Sequence, residues 1–213
     1  MNTLIHEEKY RGDGLLKKMA EQEFVVCGAG ALGSNIVENM ARQGFKKFTV
    51  IDFDRVDDHN RHTQAYDRRD VGQLKVTALK SRIFNIMGLT ITDVAKKLEE
   101  SNLKKHLKKD SIIIDGFDNS ESRGLVTKYC MENNILCLHA GLYKDYAEIK
   151  WNPVYRVPEP VKGLDVCEYP LARNIVMMAS IVTIETIINY LELGVFNNFE
   201  ITLKDMTIFQ IND

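Results

Sequence analysis

The chain has 213 residues, a formal charge of −2, 45% hydrophobic residues and 27% charged residues. This composition suits one globular domain, residues 1–213, with a buried core. It excludes a generalised nucleic-acid surface, which would need a marked positive excess. The longest apolar run, residues 175–184, is too short to span a bilayer and is ended by Glu185, so no membrane association is predicted. Residues 1–9 are polar and carry no signal-peptide core, and a cytoplasmic protein is predicted. None of the four cysteines, Cys27, Cys130, Cys137 and Cys167, forms a C-x-x-C pair, so free thiols and no zinc are expected.

The first twenty or so residues end in "GLLKKMAE" and predict an amphipathic helix. "EFVVCG" is a short apolar run closed by a glycine, read as a buried strand. "ALGSNIVENMARQG" places Leu32, Ile36, Val37 and Met40 on one helical face, with Gly44 as the stop. Strand "KFTVID" follows, then a helix over residues 71–87, a strand over 89–94, and the buried strand "SIIID". A helix over residues 120–134 leads into the strand "ILCLHAG". Upstream of the strand "SIIID", the run "KKHLKKD" (Lys104 to Asp110) reads as a solvated helix face. Three of the four prolines, Pro153, Pro158 and Pro160, mark a crossover loop at about residues 152–170. A long apolar helix is expected over residues 171–193, then one or two antiparallel strands over 199–211. Alternating strands and helices predict a Rossmann-like, doubly wound α/β fold. Its sheet would be mostly parallel, with antiparallel C-terminal strands.

Gly28, Gly30 and Gly33 form G-x-G-x-x-G between a strand and a helix, the context in which backbone and helix N-terminus can approach a phosphate. Asp52 closes the second strand, where an acid can hold a ribose. Asp54 follows two residues later. Lys75 stands near a helix start, and "DGFDNSESR" places Asp115, Asp118, Asn119 and Arg123 just after a strand. Ligands bind at such strand ends. A nicotinamide site has no use for a carboxylate there, whereas a metal-bound triphosphate does, because Mg²⁺ takes oxygen ligands.

The segments "GAGALGSNIVENMARQGFKKFTVIDFDRVDDHN", "DVGQLK" and "DGFDNSESR" together resemble the ThiF/MoeB/HesA superfamily of adenylating enzymes. The resemblance implies an adenylyltransferase that uses ATP and Mg²⁺. Its partner would be a small ubiquitin-like or sulfur-carrier protein ending in glycine, or a peptide, activated as an acyl-adenylate. It further implies a homodimer. Gly28, Gly30 and Gly33 would face the phosphates, and Asp52 the ribose. Asp54, Asn60, Gln64 and Asn119 would line the nucleotide pocket. Lys75 would contact the triphosphate, and Asp118 would bind Mg²⁺.

Thr63 stands where an N-x-x-R-Q motif has arginine. Arg61 either substitutes from two positions earlier or faces solvent. "EEKYRG" resembles the family's N-terminal segment, which implies Arg11 as a candidate finger reaching the other subunit's site, against a plain surface arginine. The resemblance also implies that Cys167 could accept the activated acyl group, its thiolate favoured by the following helix N-terminus and Arg173, against a structural cysteine. Cys27, Cys130 and Cys137 read as core residues. His139 reads as a hydrogen-bonded structural histidine, and Tyr143, Tyr146, Trp151 and Tyr155 as packing residues. Three other readings compete: an NAD-dependent oxidoreductase, a non-catalytic nucleotide-binding scaffold, and a relative acting on a small molecule or tRNA.

Overall fold

The computed structural model describes residues 3–152, 154–159 and 170–211. Helices α1 (Ile5–Arg11) and α2 (Asp13–Glu21) lead into β1 (Glu23–Cys27). Then follow α3 (Ala31–Arg42), β2 (Lys47–Ile51), α4 (Lys75–Met87), β3 (Thr92–Val94), α5 (Leu103–His106), β4 (Ser111–Asp115) and α6 (Ser120–Glu132). The chain ends in β5 (Cys137–Tyr143), β6 (Tyr146–Trp151), α7 (Arg173–Leu193), β7 (Asn198–Thr202) and β8 (Thr207–Ile211). Two short 3-10 helices, Asp58–His62 and Arg68–Asp70, lie between β2 and α4.

The eight strands form one sheet in the order β3-β2-β1-β4-β5-β6-β7-β8. The pairs among β3, β2, β1, β4 and β5 are parallel, and those from β5 to β8 antiparallel. This is the predicted mostly parallel sheet with antiparallel C-terminal strands. Every residue of β4 is buried and only the first of β1 is exposed, so both faces of this region must be covered. Alternate residues serve the two sides. Phe24, Val26, Ile112, Ile114 and Leu138 join the core shared with α3, α4 and α7. Val25, Cys27, Ile113 and Cys137 join a second core with Val126 and Cys130 of α6. The three cysteines are buried and free, as expected, and burial pushes the Cys27 and Cys137 thiols well above their ordinary range.

α7 is long and apolar enough to cross a membrane by length and composition alone. Here it packs on α3, β5, β6 and β7, and buries Ile175, Val176, Ile184, Ile187 and Ile188. That is the behaviour of a core helix.

The structure departs from the sequence expectations at several boundaries. The N-terminal helix is two helices, because Gly12 has φ +78, outside the right-handed helical region. The helix expected from residue 71 begins at Lys75, since Gly72 sits at φ +87 and Leu74 is the extended N-cap. The strand ending at Gly141 runs on to Tyr143, turns at Lys144 with φ 57, and returns as β6. Strand β6 was not anticipated. Its alternation is nevertheless clear in the fold: Ala147, Ile149 and Trp151 are buried against the α7 side, while Tyr146, Glu148 and Lys150 take the other face. The run "KKHLKKD" carries only the four-residue α5, with Leu103 and Leu107 buried beneath its lysines.

Candidate nucleotide site at the ends of β1, β2 and β4

Register brings three strand ends level: Cys27 pairs with both Ile51 and Asp115. The loops that follow these residues therefore share one edge, beside the point where strand order reverses between β1 and β4. Such a switch point is where ligands bind in open α/β sheets.

The glycines of the first loop do different work. Gly28 has φ +93, and its N–H donates to Ile51 O at 2.8 Å. A Cβ on Gly33 would lie 1.9 Å from Gly28 O. That glycine is therefore a packing requirement between helix and loop. A Cβ on Gly30 would meet nothing within 4 Å. The space in front of the α3 N-terminus is open. Gly30 caps α3 without any side-chain hydrogen bond, and no acid occupies the first turn. Free N–H groups and the helix dipole suit an anion there.

Asp52 is 7% exposed and holds this loop in place. Its Oδ2 accepts from Ala29 N at 2.7 Å, and Oδ1 accepts from Asp54 N at 2.7 Å. Burial raises its pKa, against the opposing pull of Lys75 and the two N–H donors. Each oxygen keeps a lone pair for a further donor such as a hydroxyl. Lys75, the first residue of α4, is 8% exposed, and its Nζ lies 3.0 Å from Asp54 Oδ2. The half-exposed Asp54 thus steers an ammonium that burial would otherwise penalise. Lys75 N also donates to Asp54 O at 2.9 Å, and Arg55 bridges Leu74. Those bonds fasten the β2 loop to the α4 start.

On the third loop, Gly116 N donates to Cys27 O at 2.9 Å, which sets the loop against Gly28. Asp118 and Asn119 follow and are exposed. Asn119 Oδ1 caps α6 through Ser122 N at 2.9 Å, and its Nδ2 lies 3.3 Å from Asp118 Oδ1. Asp118 enters no ion pair among the described residues.

The remaining sequence candidates are placed differently. Asn60 Oδ1 accepts from Asp57 N at 2.9 Å, so its side chain caps a 3-10 helix. Arg61 pairs with Asp58 at 2.7 Å and is partly exposed. Thr63 is buried, and its carbonyl accepts from Asn35 Nδ2 at 2.7 Å. Gln64 Oε1 is buried with no partner among the described residues. Arg61, His62, Gln64, Arg82 and Arg173 line a cleft of about 440 Å³ alongside Asn35 and Glu38 of α3. Arg82 is tied to Glu38, and Arg173 donates to His62 O at 3.0 Å. The cleft is therefore cationic. Arg11 is not on these loops: it is 11% exposed in its side chain and makes a two-pronged ion pair with Glu185 of α7, at 3.1 and 2.8 Å. Cys167 lies outside the described residues.

Sequence reasoning missed two supports of the site. The buried Tyr66 donates its hydroxyl to Ala29 O at 2.8 Å, with Lys75 O at 3.3 Å, joining the first loop to α4. Ser34 Oγ donates to Gly30 O at 2.6 Å and accepts from Ala65 N at 3.0 Å. Ser34 carries no local signal beyond adjacency to Gly33, and Tyr66, far from the glycine motif in the chain, carries none. Asp115 and Arg123 carry no assigned role in the sequence pattern, but the fold pairs them. Asp115 is wholly buried, accepts from His139 Nδ1 at 2.8 Å, and faces Arg123 at 3.7 Å. Burial alone would raise its pKa, yet Arg123, His139 and Phe117 N together lower it. His139 is the hydrogen-bonded structural histidine that was expected.

Residues 4–156 match the ThiF family. A probable molybdopterin-synthase adenylyltransferase of Gracilaria tenuistipitata var. liui is 34% identical over 121 residues, which are 56% of this chain and 34% of that protein. The sulfur carrier protein ThiS adenylyltransferase of Bacillus subtilis (strain 168) is 29% identical over 134 residues, 61% of this chain and 40% of that protein. The matches thus span little more than a third of those relatives' lengths. The solved structure of E. coli MccB with ATP superposes with a TM-score of 0.82 at 18% identity, covering 100% of this chain and 71% of that one. At that identity the likeness establishes the fold. With the family match covering well over half its length, the chain belongs to the ThiF family.

Proposed function

We propose that this protein adenylates the C-terminal carboxylate of a small ubiquitin-like or sulfur-carrier protein, or of a peptide, with ATP and Mg²⁺. The single observation that carries this reading is the convergence of three loops at one sheet edge. An uncapped helix N-terminus behind open space, a carboxylate-steered lysine and an exposed carboxylate stand together there. The named activities of the relatives support it.

No group of three or more His, Cys, Asp or Glu side chains could hold a metal among the described residues. Asp118 still fits Mg²⁺, which is held by one or two carboxylates and completes its shell with phosphates and water. When bound, the ion would neutralise phosphate charge. Gly28–Gly33 and the α3 N-terminus would seat the phosphates, Asp52 would accept from a ribose hydroxyl, and Asn60, Gln64 and Asn119 would line the pocket. Two anions must meet in this reaction, so fixed cations lower its barrier. Lys75 would exchange Asp54 for phosphate oxygen, and Arg61 would add charge from the cleft.

In this reading the substrate carboxylate attacks the α-phosphate and pyrophosphate leaves. A Cys167 thiolate would then attack the acyl carbon, forming a thioester as the bond to AMP breaks. We further propose a cytoplasmic homodimer. A finger role for Arg11 across it would require release from Glu185.

The test is ATP–pyrophosphate exchange with candidate carriers ending in glycine. Asp118→Ala and Lys75→Ala should each lower the rate by about 10²-fold or more, the usual effect of losing a charge-stabilising group. Normal exchange by Asp118→Ala would remove the metal assignment. NAD binding without ATP binding would favour the oxidoreductase instead.

A further inference from the structure

The segment that enters the crossover is bound to the Asp118 loop by side chains outside the nucleotide site. Asp115, His139 and Lys150 are in register across β4, β5 and β6. The strand pleat therefore aligns Asp115 and His139 on one face, with Asn152 two residues beyond Lys150. His139 Nε2 lies 2.7 Å from Asn152 Oδ1, and Nδ1 lies 2.8 Å from Asp115 Oδ2. Tyr155 stacks on His139 with ring centroids 3.8 Å apart and planes 6° from parallel. Its hydroxyl accepts from Arg123 Nη1 at 3.0 Å. Arg123 Nη2 donates to Ala140 O at 2.7 Å. Finally, Ser120 Oγ donates to Pro158 O at 2.7 Å.

These contacts enclose the loop from both ends. Asp115 Oδ1 accepts from Phe117 N at 3.2 Å, immediately before Asp118. Ser120 is the first residue of α6, immediately after Asn119. Asp115, His139, Arg123 and Tyr155 are all under 8% exposed. Buried charges of this kind hold their geometry tightly, because loss of any partner strands the others without solvent.

We propose that Tyr155 and His139 are positioning residues that make docking of segment 154–159 and placement of the Asp118–Asn119 loop a single event. The exchange part of the test stands independently of the adenylation reading. The consequence for Mg²⁺ rests on that reading.

The experiment is hydrogen–deuterium exchange on the full-length protein, comparing Tyr155→Ala, Tyr155→Phe and Ile187→Ala. Ile187 is buried in α7, in the other core, and serves as a control for general loss of stability. Tyr155→Ala should speed exchange in residues 116–123 about tenfold relative to residues 28–36, as a local opening does. Tyr155→Phe keeps the stacked ring but removes the acceptor of the buried Arg123, and should restore only part of the protection. Ile187→Ala should show no such bias. Unchanged exchange at 116–123 in Tyr155→Ala, or the same bias in the control, would overturn the proposal. Should Tyr155→Ala fail to fold, Ser120→Ala takes its place. It deletes one exposed hydrogen bond and should loosen 154–159 and 116–123 together; loosening of only one segment counts against coupling.

A second measurement titrates ATP with Mg²⁺ and ATP in EDTA. Tyr155→Ala should weaken the first about tenfold and leave the second within about twofold. Equal weakening of both would show that Tyr155 does not act through the Asp118 loop. If the unmodified protein binds no ATP, the adenylation reading fails while the exchange result still decides the coupling.

Discussion

Substituting alanine at Gly33 and at Gly30 should separate folding from ligand binding within one loop. At Gly33 the new Cβ would sit 1.9 Å from Gly28 O and 2.9 Å from Gly28 C. Both are backbone atoms, so no side-chain rotation relieves the clash. Gly28 cannot retreat, because its N–H is bonded to Ile51 O and its other side faces Gly116. Helix α3 would have to move by about 1 Å, and overpacking that moves backbone sits at or above the usual range of about 1–3 kcal/mol. Gly30→Ala meets open space at φ −80, which any residue adopts. It should cost only about 0.5 kcal/mol at a helix cap. Yet its methyl group would occupy the region proposed for the phosphates. Urea unfolding of both variants, with the slope monitored for two-state behaviour, gives the stability comparison. ATP titration of folded Gly30→Ala gives the other half. Equal destabilisation by the two substitutions would refute the spacing argument for Gly33. Undiminished ATP affinity in Gly30→Ala would refute the placement of phosphates at the mouth of the loop.

Three further outcomes are expected. Asp115→Asn should cost about 3 kcal/mol at pH 7, because it leaves the buried Arg123 without its counter-charge. The folded pKa of Asp115 is lowered, so its contribution is present above the unfolded carboxylate range and fades as pH falls through the folded value. The gap between Asp115→Asn and the unmodified protein should therefore narrow below about pH 4; a constant gap in urea unfolding at pH 7 and pH 3.5 would exclude Asp115 as its source. Arg11→Ala should lower stability by about 1 kcal/mol or less, since Glu185 is 47% exposed. Its exchange activity should be rescued by mixing with Asp118→Ala protein only if Arg11 serves the partner's site. Cys167→Ser should still support ATP–pyrophosphate exchange but lose any covalent adduct seen by intact-mass analysis, and persistence of that adduct would remove Cys167 from the reaction.

The parts of the candidate site that stand out in the sequence do so because they carry local signals. A glycine spacing between strand and helix, an acid at a strand end and a lysine at a helix start are each short-range patterns. Arg61 and Arg11 show the opposite case. Nothing within a few residues of Arg11 indicates that Glu185 would hold it, 174 positions away. Likewise, the departure at Thr63 looked like a missing charge, whereas the fold buries Thr63 and gathers Arg61 and Arg173 from different elements into one cleft.

The sequence by itself determined the α/β alternation, the burial of the three strand and helix cysteines, and the strand ends on which the polar residues fall. These follow from apolar periodicity and from backbone geometries that only glycine adopts readily. The tertiary structure alone decided the strand order, the pairing of β6 between β5 and β7, and the meeting of Asp115, His139, Arg123 and Tyr155. Each depends on which distant segments lie side by side, and strand pairing leaves no signature within a single strand. A buried aspartate becomes intelligible only when the strand and helix that supply its cationic partners are in place beside it.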